Sequence, residues 1–223
     1  MDDAKYMAEL QETGVSATDT GVSGSYRFIH LMGSHPPYTL YRDGTRVAAG
    51  TYPEDQSIGA LNIVATYLQK LRDAGVYDQT TVIVTADHGE WYYTAEPLTR
   101  PVSPIMLVKP AGAHGTLQVS QAPVWAADVQ ATVLAAAGAD EQMLAGYEGV
   151  PVWQIPEDAE RTRTYYMTTS DWDRDVNVTE YHVEGPADDI ASWHLTGRVW
   201  DVQGWSDASK NPPTPNVGLL PGE

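Results

Sequence analysis

The stretch GVYDQTTVIVTADHG, residues 75–89, decides the fold. Its centre, Thr80–Ala86, is β-branched or apolar throughout, which predicts a strand covered on both faces. Asp87 and His88 follow directly where that strand ends, and Gly89 permits the backbone to bend there. A buried strand that runs into two polar side chains is typical of the ligand-binding edge of an α/β sheet.

Helices and further strands are predicted on both sides of this stretch. Apolar residues recur every three or four positions over 55–74, which predicts a helix that ends at Gly75. A short helix over 2–12, a buried strand over 26–32, a strand over 104–108 and a helix over 125–137 complete the pattern. This order of elements predicts an α/β sandwich.

From about residue 157 the sequence indicates a β-rich appendage with an irregular tail, so we predict two parts, 1–156 and 157–223. Three antiparallel strands are expected over 164–169, 178–185 and 194–200. We expect Trp193 and Trp200 to be mostly buried against the α/β layer. Outward-facing rings would instead indicate a carbohydrate-binding platform.

Composition excludes several classes of protein. The net charge of −17 disfavours a nucleic-acid partner, because phosphate backbones attract basic surfaces. The absence of cysteine excludes thiol catalysis, thiolate metal sites and disulfides. No apolar run is long enough to predict a membrane span, and the acidic start at Asp2 and Asp3 is unlike a signal peptide. We therefore expect no membrane contact by this segment itself.

Two histidine-containing motifs carry candidate chemistry. Asp87 and His88 offer an oxygen and an imidazole nitrogen, a mixture suited to zinc or manganese and compatible with calcium or magnesium. The alternative is a purely structural role, with Asp87 capping a helix beside a surface histidine. His30 and His35 flank the end of the strand predicted over 26–32, where His35 could protonate a leaving oxygen. The alternatives are a core histidine at His30 and an ordinary loop histidine at His35.

Together these motifs resemble a known superfamily. The pattern H-x-x-G-S-H-P-P-Y at 30–38, the Asp-His-Gly at 87–89 and the helix at 125–138 resemble the sulfatase-like branch of the alkaline phosphatase superfamily. The likeness is closest to bacterial phosphoglycerol and phosphoethanolamine transferases, and it covers about 26–138.

The resemblance implies a three-layer α/β/α sandwich and a divalent metal (Zn, Mn, Ca or Mg) held partly by Asp87 and His88. It implies His35 as leaving-group acid or auxiliary metal ligand, and His30 as a residue lining the site of a phospho- or sulfo-ester substrate. The Thr, Ser or modified Cys nucleophile of that family would lie outside this chain. The resemblance also implies an extracytoplasmic, cell-surface enzyme anchored in the membrane through a segment not in this chain.

Two departures from the family pattern affect the prediction. Ser34 has the proline of the sulfatase nucleophile motif two residues on, but Tyr38 stands where arginine is needed. Residues 98–100 contain no histidine where the phosphoethanolamine transferases have one, so a second zinc site is not expected. We therefore expect the C-terminal portion of an ester hydrolase or transferase, inactive alone. A true sulfatase and a non-catalytic, glycan- or partner-binding relative remain alternatives.

Overall fold

The computed structural model describes residues 2–17, 24–89, 103–168 and 177–201. Helices and short strands are mixed within them, which confirms the α/β class at that coarse level. The helices are α1 (Asp3–Thr13), α2 (Pro53–Asp73), α3 (Ala126–Ala136) and α4 (Glu141–Leu144), with 3-10 turns at Val152–Gln154 and Ile190–Ser192. The strands are β1 (Val82–Thr85), β2 (Met106–Lys109), β3 (Arg163–Thr168), β4 (Asn177–Val183) and β5 (Trp193–Asp201).

The chain divides into two compact units. Unit 1 comprises Met1–Val82 and Lys109–Gly115, and unit 2 comprises Ile83–Val108 and Thr116–Glu223. No helix of the described residues combines the length and the apolar character that crossing a bilayer requires. The domain boundary predicted after residue 156 stays a prediction.

Unit 1 is built on α1 packed against α2. Met7 and Ile63 meet Leu40 in a buried cluster at this contact. Helix α2 begins with Pro53, which is favourable at a first helical position, and ends as its sequence predicts. Gly75 takes a positive φ of 71° there. The Val76 and Gly75 amides donate back to the carbonyls of Leu71 and Arg72, as in a Schellman motif.

Helix α3 of unit 2 ends by the same mechanism. Gly138 has a φ of 93°, and its amide donates to the carbonyl of Ala135. The amide of Ala139 donates to the carbonyl of Leu134. Both helix ends that the sequence assigned to a glycine are therefore confirmed within one or two residues.

The predicted strand over 26–32 is wrong. These residues form no regular element, and Tyr26 and Phe28 are 70% and 75% exposed. A strand needs a neighbour that takes up its backbone hydrogen bonds, and no described strand pairs with this segment. The amides of Met32 and Gly33 donate to the carboxylate of Asp3 instead, at 3.0 and 3.1 Å.

Strand β1 is shorter and less covered than its composition predicts. It pairs with β2 in a sheet of two strands within the described residues. Val82, Ile83 and Val84 are half-buried and Thr85 is exposed, so full cover on both faces is not found.

Strands β3, β4 and β5 form an antiparallel sheet in that order, close to their predicted bounds. Side chains opposite each other share a face, so Arg163, Val183 and Trp193 lie in one row across the three strands. Trp193 is 9% exposed, which confirms its predicted burial. The side chain of Trp200 and the tail from residue 202 lie outside the described residues. The sandwich and the appendage themselves stay predictions.

Candidate functional site

Asp87 and His88 lie directly beyond the carboxyl end of β1, where the chain bends. The backbone amide of His88 donates to Asp87 Oδ1 at 3.1 Å, which holds the carboxylate beside the imidazole. Asp87 Oδ2 then lies 3.9 Å from His88 Nε2. The side chains are 90% and 45% exposed, so an ion in solution can reach them.

The orientation of His88 suits metal ligation through Nε2. Its Nδ1 lies 2.7 Å from the carbonyl oxygen of Gly89, which can only accept, so Nδ1 carries the proton in the neutral ring. A backbone carbonyl on one ring nitrogen is the usual way in which a ligating histidine is oriented. A tetrahedral zinc ion with bonds of about 2.0–2.2 Å holds its ligand atoms about 3.4 Å apart. The observed separation of 3.9 Å therefore needs only a small side-chain adjustment.

Two ligands form part of a metal site. Among the residues that the structure describes, no group of three or more His, Asp or Glu side chains is arranged to hold an ion. The segment 90–102, which follows Gly89, lies outside the described residues. A catalytic zinc site has three protein ligands and one open position. The pair therefore falls short of a complete catalytic metal site within the described residues.

The loop that carries His35 is held by two buried polar side chains. Asp3 of α1 accepts from the amides of Met32 and Gly33, as described above. Gln56 of α2 is 3% exposed and donates to the Gly33 carbonyl at 2.7 Å. Its Oε1 accepts from the amides of Thr39 and Leu40 at 3.0 and 2.7 Å. Both ends of the His35 loop are thus fixed to the helices of unit 1.

His35 itself is exposed, and its Nδ1 lies 2.5 Å from the carbonyl oxygen of Pro36. That contact directs the proton of the neutral ring to Nδ1. The nearby Ser34 and Ser57 hydroxyls are 2.7 Å apart. The side chain is therefore presented to solvent on an anchored loop, as a residue that acts on a substrate requires.

His30 is exposed, so the interpretation of it as a core histidine is wrong. Its ring lies 6.4 Å from that of Phe28, centre to centre, with the planes tilted at 36°. No pairing strand holds it among the described residues. Its predicted place in a substrate site stays a prediction.

The structure brings Asp87 and His88 together within unit 2, and it places His30 and His35 in unit 1. The role implied for His35 requires it to lie beside the Asp87–His88 pair, and this stays a prediction.

Asp128, a buried and extensively hydrogen-bonded side chain of unit 2, was missed at the sequence level. Asp128 is 0% exposed and binds both Arg161 Nη1 and Nη2 at 2.9 Å. It also accepts from the amides of Trp125 and Val150, at 2.9 and 2.8 Å. The available signal was an aspartate in the first turn of an otherwise apolar helix, which is favourable for capping. Its partner, 33 residues away, has no local sequence signal.

No family model, curated protein or solved structure matches this chain.

Proposed function

We propose that this chain is the C-terminal portion of a metal-dependent enzyme that hydrolyses or transfers phosphoryl or sulfuryl esters of cell-surface polymers or lipids. The observation that carries the proposal is the Asp87–His88 pair beyond the carboxyl end of β1, with a carboxylate oxygen and an imidazole nitrogen 3.9 Å apart. The enzyme acts outside the cytoplasm and is anchored through a segment not in this chain.

Each residue has a distinct role in this proposal. Asp87 and His88 would hold a divalent metal, which would supply Lewis-acid stabilisation of the charge that develops on the ester oxygens. His35 gives a proton to the leaving oxygen, and His30 lines the substrate site. The nucleophile and the remaining ligands come from outside this chain.

Exposed apolar surface supports an incomplete domain. Tyr26 and Phe28 belong to a β-prone segment that no described strand pairs with. Leu117 and Val119 are 79% and 83% exposed. Large exposed apolar side chains in either unit are compatible with a surface that another segment covers.

The metal role is tested by titrating the chain with Zn²⁺ and following the six histidine rings by NMR. We expect the His88 ring to shift first, because the Gly89 carbonyl orients the ring so that Nε2 faces the Asp87 carboxylate. His88→Ala or Asp87→Ala should weaken binding at this site by at least about tenfold, or about 1.4 kcal/mol.

The chain offers a matched control for that experiment. Asp78 and His114 form a second exposed pair, also 3.9 Å apart, at a position with no predicted role. His114→Ala should leave the zinc affinity at His88 unchanged. If the His114 ring binds zinc as tightly as the His88 ring, the pair after β1 is an adventitious ligand and the proposal loses its support.

A further inference from the structure

A cavity of about 280 Å³ lies within unit 2, between the first turn of α3 and one face of the β3–β4–β5 sheet. Its polar and aromatic lining comes mainly from Trp125, Arg163, Tyr165 and Trp193. Pockets that bind small molecules generally start at about 300 Å³ and are mostly apolar with a few convergent polar groups. This cavity therefore suits a small ligand.

Arg163 is a buried cation without a carboxylate beside it. The residue is 7% exposed, and no carboxylate of the described residues lies within ion-pair distance of its guanidinium. Its Nη2 donates to the Gly185 carbonyl, its Nη1 reaches the Val124 carbonyl at 3.5 Å, and its Nε has no acceptor. Carbonyl oxygens satisfy hydrogen bonds but leave the charge uncompensated.

The nearby acidic group is already engaged. Both oxygens of Asp128 are bound by Arg161, so this carboxylate is not an ion-pair partner of Arg163. Burial lowers the pKa of Arg163, and the charge of Arg161 lowers it further, while Asp128 opposes both effects. The guanidinium of Arg163 therefore lies near a second cation, and the described residues offer it no ion-pair partner.

The start of α3 also borders this cavity, with the Asp128 carboxylate in its first turn. Ala126 and Ala127 of its first turn line the same cavity. The first amides of an α-helix have no acceptor within the helix, and the helix dipole places partial positive charge there. A helix start beside a buried arginine is a combination that binds anions.

The walls of the cavity are aromatic and well supported. The ring of Trp193 packs edge-on against Tyr165 and Tyr181, with centres 5.3 and 5.9 Å apart. Its indole nitrogen donates to the Ala187 carbonyl at 3.0 Å. Burial raises the pKa of Tyr165, so this phenol stays neutral at physiological pH. Such walls favour a flat apolar body over a hydrated one.

We infer that this cavity binds a small organic monocarboxylate whose carboxylate faces Arg163 and the start of α3 and whose apolar body lies against Trp125, Tyr165 and Trp193. A single negative charge is the better match, because Arg163 is the one uncompensated cation in the described lining and Glu148 adds negative charge at the rim. This site is independent of the ester chemistry proposed above.

Benzoate, benzamide and inorganic phosphate are suitable probes, added to the full chain and followed through its indole N–H signals in NMR. Benzoate should shift the signals of Trp125 and Trp193. Benzamide has the same shape without the charge and should bind at least about tenfold more weakly. Phosphate should cause no comparable shift. Equal binding of benzoate and benzamide, or tighter binding of phosphate, would contradict the inference.

Two variants test whether benzoate binds in the cavity. Arg163→Met removes the cation and should reduce benzoate affinity at least about tenfold, while the same change at exposed Arg27 of unit 1 should not alter it. Ala126→Phe retains Arg163 and fills the cavity with a side chain from an exposed position, so it should abolish benzoate binding. This variant tests whether benzoate binds in the cavity even if Arg163→Met does not fold. Unchanged benzoate affinity in Ala126→Phe would overturn the inference.

Discussion

At the scale of single residues, the buried carboxylate of Asp128 is a position where substitution should be costly. It balances the charge of Arg161. It also accepts hydrogen bonds from the backbone amides of Trp125, before α3, and of Val150. Asp128→Asn keeps the size of the side chain but leaves a partly buried guanidinium without its counter-charge. We expect the free energy of unfolding, measured in urea, to fall by about 3–5 kcal/mol.

The control for this change is Asp140→Asn at the start of α4. Asp140 is exposed and its Oδ1 accepts from the Met143 amide at 2.9 Å, a role that asparagine fulfils nearly as well. Its free energy of unfolding should change by less than about 0.5 kcal/mol. Similar losses in both variants would mean that Asp128 acts only as a cap.

At the scale of elements, α2 packs closely on the turn over 40–46 because Gly59 has no side chain. A β-carbon at Gly59 would lie 2.3 Å from the carbonyl oxygen of Tyr41 and 3.0 Å from the side chain of Leu40. Alanine inside a helix normally gains about 1 kcal/mol over glycine. At Gly59 we expect the reverse, a loss of about 1–3 kcal/mol, because the backbone of the turn has to move.

Gly146 provides the comparison, since a β-carbon there meets no atom within 4 Å. Gly146→Ala should leave the thermal midpoint unchanged or slightly higher. A stabilised Gly59→Ala variant would show that the backbone of the turn over 40–46 moves with little loss of free energy. The close packing of α2 would then not require glycine at position 59.

At the scale of the whole molecule, we expect no ester hydrolysis by this chain alone. In the proposed role Asp87 and His88 would supply two ligands, whereas a catalytic zinc site takes three protein groups with an open position. An aryl phosphate and an aryl sulfate should both remain uncleaved above the metal-only background, with Zn²⁺ or Mn²⁺ added. Turnover that Asp87→Ala abolishes would contradict this prediction and show a complete site in the chain.

The sequence by itself determined the elements whose cause is local. The bounds of α2 and α3 follow from apolar spacing and from Gly75 and Gly138, whose positive φ ends each helix. The strands of the antiparallel sheet follow from runs of β-branched and aromatic residues between turn signals. The pairing of Asp87 with His88 also follows from the sequence, since adjacent residues at a bend are close in any fold.

Only the tertiary structure decided features that depend on distant partners. The segment over 26–32 has strand composition, but a strand exists only beside another, and its last amides bind Asp3 instead. Arg161 meets Asp128 across 33 residues, and the cavity beside Arg163 is lined by residues of the first turn of α3 and of the sheet. Local patterns cannot specify such contacts, because they arise from packing between elements rather than from the propensity of any one of them.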